Sequence, residues 1–300
     1  MLAFVAKHVP GVPVPKVLGF GTYEAELGGC GWMLQELAPG VLLHEAWAEL
    51  ELPARRPYLE AVARVAGCLA RIEFAAGGSL VFADTPTPGY RRAPCTWRAG
   101  GEELTDEQFA VVGALDHGGA GPASSVAEFM QKAFELLVPE LEEQPDAAWV
   151  QLAAPLRDFA AARVPALVRG AGGFCLVHSD LHPKNILVDP ASGAITAVLD
   201  WEWSGPLPSL RERGMLADMD LDDEGEAVLQ QYLAEAGVPV AAWRAGAPLY
   251  QMLDLAMFGA FHRDWLAASL DEARDDIAAN CDKLRDMLQV KDEEDDNDAK

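Results

Sequence analysis

Basic residues are scarce in this sequence, and their scarcity limits the partners that the protein can bind. The 23 lysines and arginines face 47 aspartates and glutamates, which gives a formal net charge of −24 at pH 7. A nucleic-acid-binding protein needs a basic surface for the phosphates, and anionic membranes attract basic segments. The composition therefore argues against both classes of partner. A cationic small molecule would be drawn toward such a field, although the same acidity also favours solubility.

Paired cysteines and long apolar runs are lacking as well. The cysteines are odd in number and scattered, without a CxxC pair: Cys30, Cys68, Cys95, Cys175 and Cys281. This pattern indicates neither a disulfide framework nor a zinc knuckle, and it suits a reducing compartment. No apolar run approaches the roughly 18 residues of a membrane-spanning helix. Lys7 and His8 interrupt the region in which a signal peptide would need one. We expect a cytoplasmic protein with no membrane partner.

Hydrophobic periodicity predicts a mixed α+β chain. Residues 2–8 have the pattern of a helix end, and apolar residues at helical spacing predict helices over 56–74, 124–137, 147–167, 226–235, 249–270 and 272–288. Short apolar runs bounded by turn residues predict strands over 17–22, 31–37, 174–177, 186–188 and 195–199. Residues 76–122 are rich in Gly, Pro, Asp and Thr and show little periodicity, so we expect an extended surface excursion there. The acidic run at 291–300 predicts a disordered tail.

One string in the second half of the chain carries side chains suited to chemistry. Residues 178–189 are HSDLHPKNILVD, and LDWE follows at 199–202. Phosphoryl transfer needs a group that orients the attacking hydroxyl and oxygen ligands for magnesium, because its catalysis is mainly positioning and charge neutralisation. Asp180 suits the first task, and Asn185 and Asp200 supply hard oxygen ligands that suit magnesium. The strand–turn–strand pattern between Asn185 and Asp200 predicts that a hairpin brings them together.

Two other interpretations of this string are disfavoured. His178 and His182 are four residues apart and would share a face suited to zinc if they lay on a helix. Pro183 and the neighbouring strands instead predict a loop. Ser179 beside Asp180 suggests a hydrolase nucleophile, but no GxSxG turn surrounds it.

The same string resembles the catalytic loop HxDxxxxN of the kinase superfamily, in the HxDLHPxN form of aminoglycoside phosphotransferases and the related choline and fructosamine kinases. LDWE resembles the metal-binding segment of that family, and VPVPKV at 12–17 and WMLQELAPG at 32–40 resemble its PVPxV and hinge segments. The resemblance covers most of residues 1–275. It implies an α+β, protein-kinase-like fold, with a partial small β lobe and hinge at 1–38 and a mainly helical large lobe at 39–290.

The resemblance also implies an activity, which is transfer of a phosphate from ATP, with Mg²⁺, to a hydroxyl of a small molecule. It implies the catalytic residues Asp180 (base) and His178 (packed beneath the loop), the magnesium ligands Asn185 and Asp200, and the nucleotide contacts Gln35, Glu36, Leu37 and His182. Acceptor contacts are expected in the C-terminal helices, around Asp264 and Trp265.

The sequence departs from the family at its start. The resemblance places the first residues at the end of the family's first helix, so we expect no counterpart in this sequence of the family's glycine-rich phosphate loop, strand lysine and helix glutamate. Gly19-Phe20-Gly21 lacks the GxGxxG spacing, and Lys7 and Lys16 are expected to be solvated. The alternative is therefore a non-catalytic binding or scaffold protein, or a truncated gene model. A protein kinase is disfavoured, because LDWE replaces DFG and no APE segment follows.

Overall fold

The structure, a computed structural model, describes residues 1–24, 30–48, 50–87, 89–113, 121–144, 146–169, 172–212, 221–238, 240–261 and 271–289. Helices α1 to α8 span Leu2–His8, Leu43–Trp47, Leu52–Ala70, Val126–Glu142, Ala147–Leu167, Asp223–Glu235, Val240–Phe261 and Asp271–Gln289. Strands β1 to β11 span Val17–Glu24, Cys30–Gln35, Val41–Leu42, Glu73–Phe74, Ser79–Phe82, Arg92–Ala99, Glu102–Val112, Phe174–Val177, Ile186–Val188, Ile195–Val198 and Gly205–Pro208. The predicted α+β class is confirmed.

The predicted helices are present among the described residues, most of them with shifted ends, and residues 262–270 of the predicted helix 249–270 lie outside those residues. α3 ends at Ala70 rather than at residue 74, because Glu73 and Phe74 pair with two other strands as β4. The N-cap of α4 is Ser125, whose hydroxyl accepts a hydrogen bond from the amide of Glu128. None of the helices that the structure describes combines the length and apolar character that crossing a membrane requires. The acceptor positions Asp264 and Trp265 and the acidic tail lie outside the described residues.

The prediction for residues 76–122 is wrong, because this region contributes three strands to a sheet. The sheet has six antiparallel strands in the order β11-β8-β4-β6-β7-β5. β6 and β7 form a long hairpin whose turn, Gly100-Gly101, has φ angles of 60° and 87° that favour glycine. In β6 the buried Cys95 and Trp97 alternate with less buried neighbours. The Gly and Pro content of the region hid this alternation.

α1 packs on this sheet through an aromatic cluster. The ring of Phe4 is fully buried, with centroid distances of 5.1 Å to Trp97, 5.4 Å to Phe109 and 5.6 Å to Phe74. These rings come from α1, β4, β6 and β7. The contact fixes the N-terminal helix to the middle of the sheet.

A buried carboxylate fixes the last turn of the same helix. Asp106 on β7 accepts hydrogen bonds from Lys7 Nζ at 2.6 Å and from His8 Nε2 at 2.8 Å. The expectation that Lys7 is solvated is therefore wrong, because half of its side chain is covered and its ammonium is paired. Burial would raise the pKa of Asp106, but the bonds from Lys7, the Gln108 amide and His8 outweigh it and lower the pKa from 3.8 to about 2.

This lowered pKa predicts a pH-dependent contribution to stability. A carboxyl whose pKa is lower in the folded state stabilises the protein above its unfolded pKa, and that contribution is lost as the pH falls toward its folded pKa. We expect the wild type to unfold at higher urea than Asp106→Asn above pH 3.8, with the difference disappearing as the pH falls to about 2. Urea titrations of both proteins across this range measure it. A difference independent of pH would contradict the ion-pair account.

A small sheet holds the segment after β2 against the β9–β10 hairpin. It has three strands in the order β10-β9-β3, with Val41 opposite Val188. Gly40 precedes β3 at φ 118°, and a side chain there would meet the backbone oxygen of Val188 at 2.7 Å. The hydroxyl of Thr196 donates to the carbonyl of Pro39. The predicted β1–β2 hairpin, which pairs as a separate sheet, is thereby joined to the segment that carries Asn185 and Asp200.

Candidate active site

The 178–185 loop follows β8, a strand whose four residues are all buried. Ser179 has φ 70°, a left-handed conformation that costs a non-glycine residue about 1–2 kcal/mol. A 3₁₀ turn, Pro183–Asn185, closes the loop, and His182 caps it by accepting a hydrogen bond from the Lys184 amide at 3.2 Å. The loop thus reverses the chain within a few residues and returns it into β9.

The carboxylate of Asp180 is held between two side chains of its own loop. The amide nitrogen Nδ2 of Asn185 donates to Oδ2 of Asp180 and, at 3.0 Å, to its backbone carbonyl. His182 Nε2 lies 3.4 Å from the other carboxylate oxygen. Asp180 remains partly exposed, so one side of its carboxylate is accessible. The structure thus joins Asp180 and Asn185 by two hydrogen bonds within one loop, a pairing that the sequence analysis did not predict.

His178 is fully buried beneath the loop and joins it to the β10 segment. Its Nδ1 accepts from the amide of Asp180 at 3.2 Å, so its other nitrogen, Nε2, carries the proton and donates to the Leu199 carbonyl at 2.8 Å. Burial is the main reason why the pKa of His178 is lowered to about 4; the bond to Leu199 opposes this shift, and the nearby His182 adds to it. The two ring nitrogens of His178 therefore connect the loop to the Leu199 segment with the proton on Nε2.

Asp200 lies beside this loop at the end of β10. The amide of Leu199 donates to the carbonyl of Asn185 at 2.8 Å, which brings the residue before Asp200 against the loop. Asp200 is exposed and has φ 57°, a second left-handed residue in the site. Backbone conformations of this kind concentrate at functional sites, where the surrounding structure sustains them. Trp201 follows, buried, with its ring 4.5 Å from that of His178.

A cavity of about 590 Å³ opens onto Asp200 and Glu202. Its other walls are mostly apolar and come from the start of α1, the β1–β2 hairpin and β5, with the lining residues Phe20, Met33, Phe82 and Leu199 among them. Gln35, a predicted nucleotide contact, also lines it. Glu36, Leu37 and His182 are not among its described lining residues.

The other predicted nucleotide contacts have different environments. Glu36 accepts a hydrogen bond from the Lys16 amide at 3.1 Å, which extends the β1–β2 pairing. Leu37 is 98% exposed. Of the four predicted nucleotide contacts, the structure therefore places Gln35 on the cavity and His182 against Asp180.

Two charged residues behind the loop were not found from the sequence. Arg211 and Glu212 are 5% and 2% exposed, and both bind backbone or side-chain atoms of the loop. Burial raises the pKa of Glu212 to about 7, opposed by hydrogen bonds from two loop amides and by the charge of Arg211. No local pattern in the sequence marks the charged residues of this segment as buried.

The oxygen ligands at the site fit magnesium better than a soft metal. Within the described ranges, no group of three or more His, Cys, Asp or Glu side chains is arranged to hold a metal ion. Mg²⁺ needs no such cage, since one or two protein carboxylates with phosphate and water oxygens complete its shell. Both hydrogen bonds of the Asn185 amide use Nδ2, which leaves its oxygen Oδ1 to act as a ligand together with Asp200. The donor set therefore fits a magnesium ion shared with a phosphate.

Solved structures share this arrangement of helices and strands. The GDP and kanamycin complex of APH(2")-IIia is 14% identical, with a TM-score of 0.54 over 97% of this chain and 80% of that chain. Choline kinase LicA from Streptococcus pneumoniae is 12% identical, with a TM-score of 0.53 over 96% and 78%. An ethanolamine kinase from Plasmodium vivax is 14% identical, with a TM-score of 0.51 over 93% and 70%. These likenesses confirm the protein-kinase-like fold.

Sequence comparison identifies the family. A search of curated proteins finds no match. The family model described as the phosphotransferase enzyme family matches residues 1–249, a span that includes α1, the β1–β2 hairpin, the 178–185 loop and Asp200. Because this match covers more than half of the chain, the protein belongs to the phosphotransferase enzyme family.

Proposed function

We propose that this protein transfers the γ-phosphate of ATP to a hydroxyl group of a small molecule. The observation that carries the proposal is the environment of the Asp180 carboxylate. Asn185 and His182 hold it within the 178–185 loop, and the side chain of Asp180 stays partly exposed. Membership of the phosphotransferase enzyme family supports the reaction class. The acceptor is a small molecule, as the names of the choline and ethanolamine kinases of similar fold suggest.

In this proposal Asp180 is the catalytic base. It takes the proton of the acceptor hydroxyl while that oxygen forms a bond to the γ-phosphorus and the bond between phosphorus and the β–γ bridging oxygen breaks, releasing ADP. The Asn185 hydrogen bond fixes the direction of the carboxylate, and neutral His178 fixes the backbone that carries it. Positioning of this kind is the main contribution that a protein makes to phosphoryl transfer.

Asn185 and Asp200 would hold magnesium on the phosphates. When bound, the metal would neutralise part of the negative charge of the phosphates. The left-handed Asp200 and the hydrogen bond between Leu199 and Asn185 keep these two ligands on adjoining segments. The cavity beside Asp200 would receive the nucleotide base against Phe20 and Met33, with Gln35 as its polar contact. In this proposal residues 1–38 and 39–290 are the two lobes that face across the cleft.

An amine-bearing acceptor suits the charge of the site. Asp200 and Glu202 are both exposed at the cavity, and the whole chain carries a net charge of −24. Such a field raises the local concentration of a cation and speeds its association. We therefore propose an amino alcohol or a polyamine-like antibiotic as the acceptor class.

Calorimetry with ATP tests the first step. We expect magnesium to strengthen ATP binding to the wild type and to leave binding by Asp200→Ala unchanged, because a carboxylate ligand has been removed. Asp158→Ala, at an exposed position of α5, is the matched control and should retain the magnesium effect. Wild-type binding that does not depend on magnesium would contradict the proposed metal site.

One observation favours the alternative of a non-catalytic binding protein. No described residue that lines the cavity is a lysine or arginine, and Lys7 is engaged by Asp106. Basic side chains stabilise the charge that develops on a transferred phosphoryl group. Magnesium-dependent ATP binding without labelled product, in assays with [γ-³²P]ATP and a panel of amino alcohols and aminoglycosides, would support this alternative.

A further inference from the structure

A row of aromatic rings connects the β1–β2 hairpin to the buried cluster around Phe4. Phe20 on β1 stacks on Phe82 of β5, with centroids 5.9 Å apart and an angle of 6° between the ring planes. Phe82 stacks in turn on Phe109 of β7 at 5.3 Å, and Phe109 contacts Phe4 at 5.4 Å. The exposed fraction falls from 58% at Phe20 to 37% at Phe82 and 5% at Phe109. The hairpin is therefore connected to the core through Phe82.

Arg92, the first residue of β6, holds the loop that follows Phe82. Among the described strands, β5 pairs with β7 alone, and it ends at Phe82. The Arg92 guanidinium donates to the carbonyls of Phe82 at 3.4 Å, Ala83 at 2.7 Å and Thr85 at 2.9 Å, and to the Thr87 hydroxyl at 3.3 Å. Arginine can bind several acceptors at once because its planar group presents five donors in fixed directions. These bonds support the end of an edge strand that has a neighbour on one side.

We propose that Phe82 and Arg92 are positioning residues for nucleotide binding. Phe82 supports the β1–β2 hairpin through Phe20, and Arg92 keeps the ring of Phe82 in place. The inference rests on the proposed function, because it concerns the cavity that would receive the nucleotide in that reaction. It gives a role to the strands formed by residues 76–122.

The support matters because the walls of the cavity belong to different sheets. Phe20 and Met33 lie opposite each other on the β1–β2 hairpin, and both line the cavity. Asp200, which lines the same cavity, follows β10 of the three-stranded sheet. A hairpin that forms a sheet of two strands is only marginally stable by itself. The separation of Phe20 and Met33 from Asp200 therefore depends on contacts that the hairpin makes with the rest of the protein, of which the Phe20–Phe82 stack is one.

The exposure of the stack argues that its role lies at the cavity rather than in the stability of the core. Phe20 and Phe82 remain 58% and 37% exposed, so their contact removes less apolar surface from water than a core contact does. Phe82 also lines the cavity. The stack is thus placed where a change in the hairpin position would alter nucleotide binding more than the stability of the fold.

Titration calorimetry with ATP and magnesium tests the proposal. We expect Phe82→Ala to raise the Kd of ATP about 10-fold, because binding must then order the hairpin without an aromatic pair. Phe82→Tyr keeps the ring and should bind as the wild type does. The control is Tyr90→Ala, which removes a 38% exposed ring that is not among the described lining residues, and its Kd should not change. Equal Kd values for Phe82→Ala and Tyr90→Ala would overturn the proposal.

A double-mutant cycle tests whether Arg92 acts through Phe82. We expect Arg92→Ala to raise the Kd of ATP about threefold, the scale of a lost hydrogen bond, and to have no further effect when Phe82 is already alanine. Arg98→Ala changes an exposed arginine of the same strand that is not among the described lining residues, and it should bind as the wild type does. Increases in Kd that multiply in the double variant would overturn the role of Arg92.

Hydrogen exchange distinguishes positioning from direct contact with the nucleotide. In the substrate-free protein, the hydrogen-bonded amides of the β1–β2 hairpin should exchange faster in Phe82→Ala than in the wild type or in Tyr90→Ala, because the hairpin opens more often without its support. Weaker ATP binding with unchanged exchange would mean that Phe82 acts by touching the nucleotide. That result would overturn the positioning role.

The same measurements, with an assay of phosphate transfer, separate this inference from the proposed function. A wild type that binds ATP in a Phe82-dependent manner but transfers no phosphate would refute the function and leave the positioning role intact. An active wild type whose Phe82→Ala variant binds ATP equally well would refute the positioning role and leave the function intact. A wild type that binds no ATP would refute both.

Discussion

Asp180→Asn is expected to lower kcat by about a thousandfold, because an amide cannot take the proton of the attacking hydroxyl and a positioned base contributes on this scale. The substitution keeps the size of the side chain and leaves an oxygen that can still accept from Asn185 Nδ2. Binding of ATP with magnesium should be nearly unchanged, since the proposed ligands are Asn185 and Asp200. The loss should therefore appear in kcat rather than in the dissociation constant of the nucleotide.

The matched control for this prediction is Asp158→Asn, at an exposed position of α5. It makes the same chemical change at a distance in the sequence from the loop, and its kcat should equal that of the wild type. Turnover is measured as phosphate transferred from [γ-³²P]ATP under saturating substrate. If Asp180→Asn retained wild-type turnover, Asp180 could not be the base, and a water molecule or the acceptor itself would have to carry the proton.

Phe4→Ala is expected to lower the free energy of unfolding by about 3–5 kcal/mol, the usual cost of removing a fully buried aromatic ring. Phe4 is 0% exposed, and its ring contacts three aromatic rings from the six-stranded sheet. A smaller side chain leaves a cavity that the surrounding strands cannot fill, because their hydrogen-bonded registers are fixed. Urea unfolding followed by circular dichroism measures the change.

Phe20→Ala provides the matched comparison within the same part of the chain. Phe20 is 58% exposed and stacks on Phe82 with a centroid distance of 5.9 Å. Its removal should cost about 1 kcal/mol, the scale of a single aromatic pair. Comparable losses for the two variants would indicate that the α1 cluster contributes less than its burial implies.

The local parts of the site could be predicted from the sequence. Asp180 and Asn185 are five residues apart, and the hydrogen bonds that join them lie within one loop. Asn185 and Asp200 are joined by a short hairpin whose strands and turn have clear composition signals. When both partners of a contact belong to one short segment, the residue types and their spacing determine the geometry.

The parts that could not be predicted depend on contacts between distant segments. Glu212 is 34 residues from the amide that it accepts from, and Lys7 is 99 residues from Asp106. Neither pair has a spacing that a periodic pattern can reveal. In β6, the strand pattern is interrupted by Pro94 and by a register shift between Pro94 and Thr96. β5 was not predicted either, because its four residues, Ser79–Phe82, are too few for an alternating pattern to appear.

Leu199 joins the 178–185 loop to the β9–β10 hairpin through its peptide groups alone, with its N–H bound to Asn185 and its carbonyl to His178. The hairpin can therefore tolerate a change in its number of residues at some positions and not at others. Ala191 and Ser192 are exposed in the turn at the opposite end, so we expect an insertion between them to leave both bonds in place. A single insertion between Val198 and Asp200 would separate both bonds at once and move Asp200 away from Asn185.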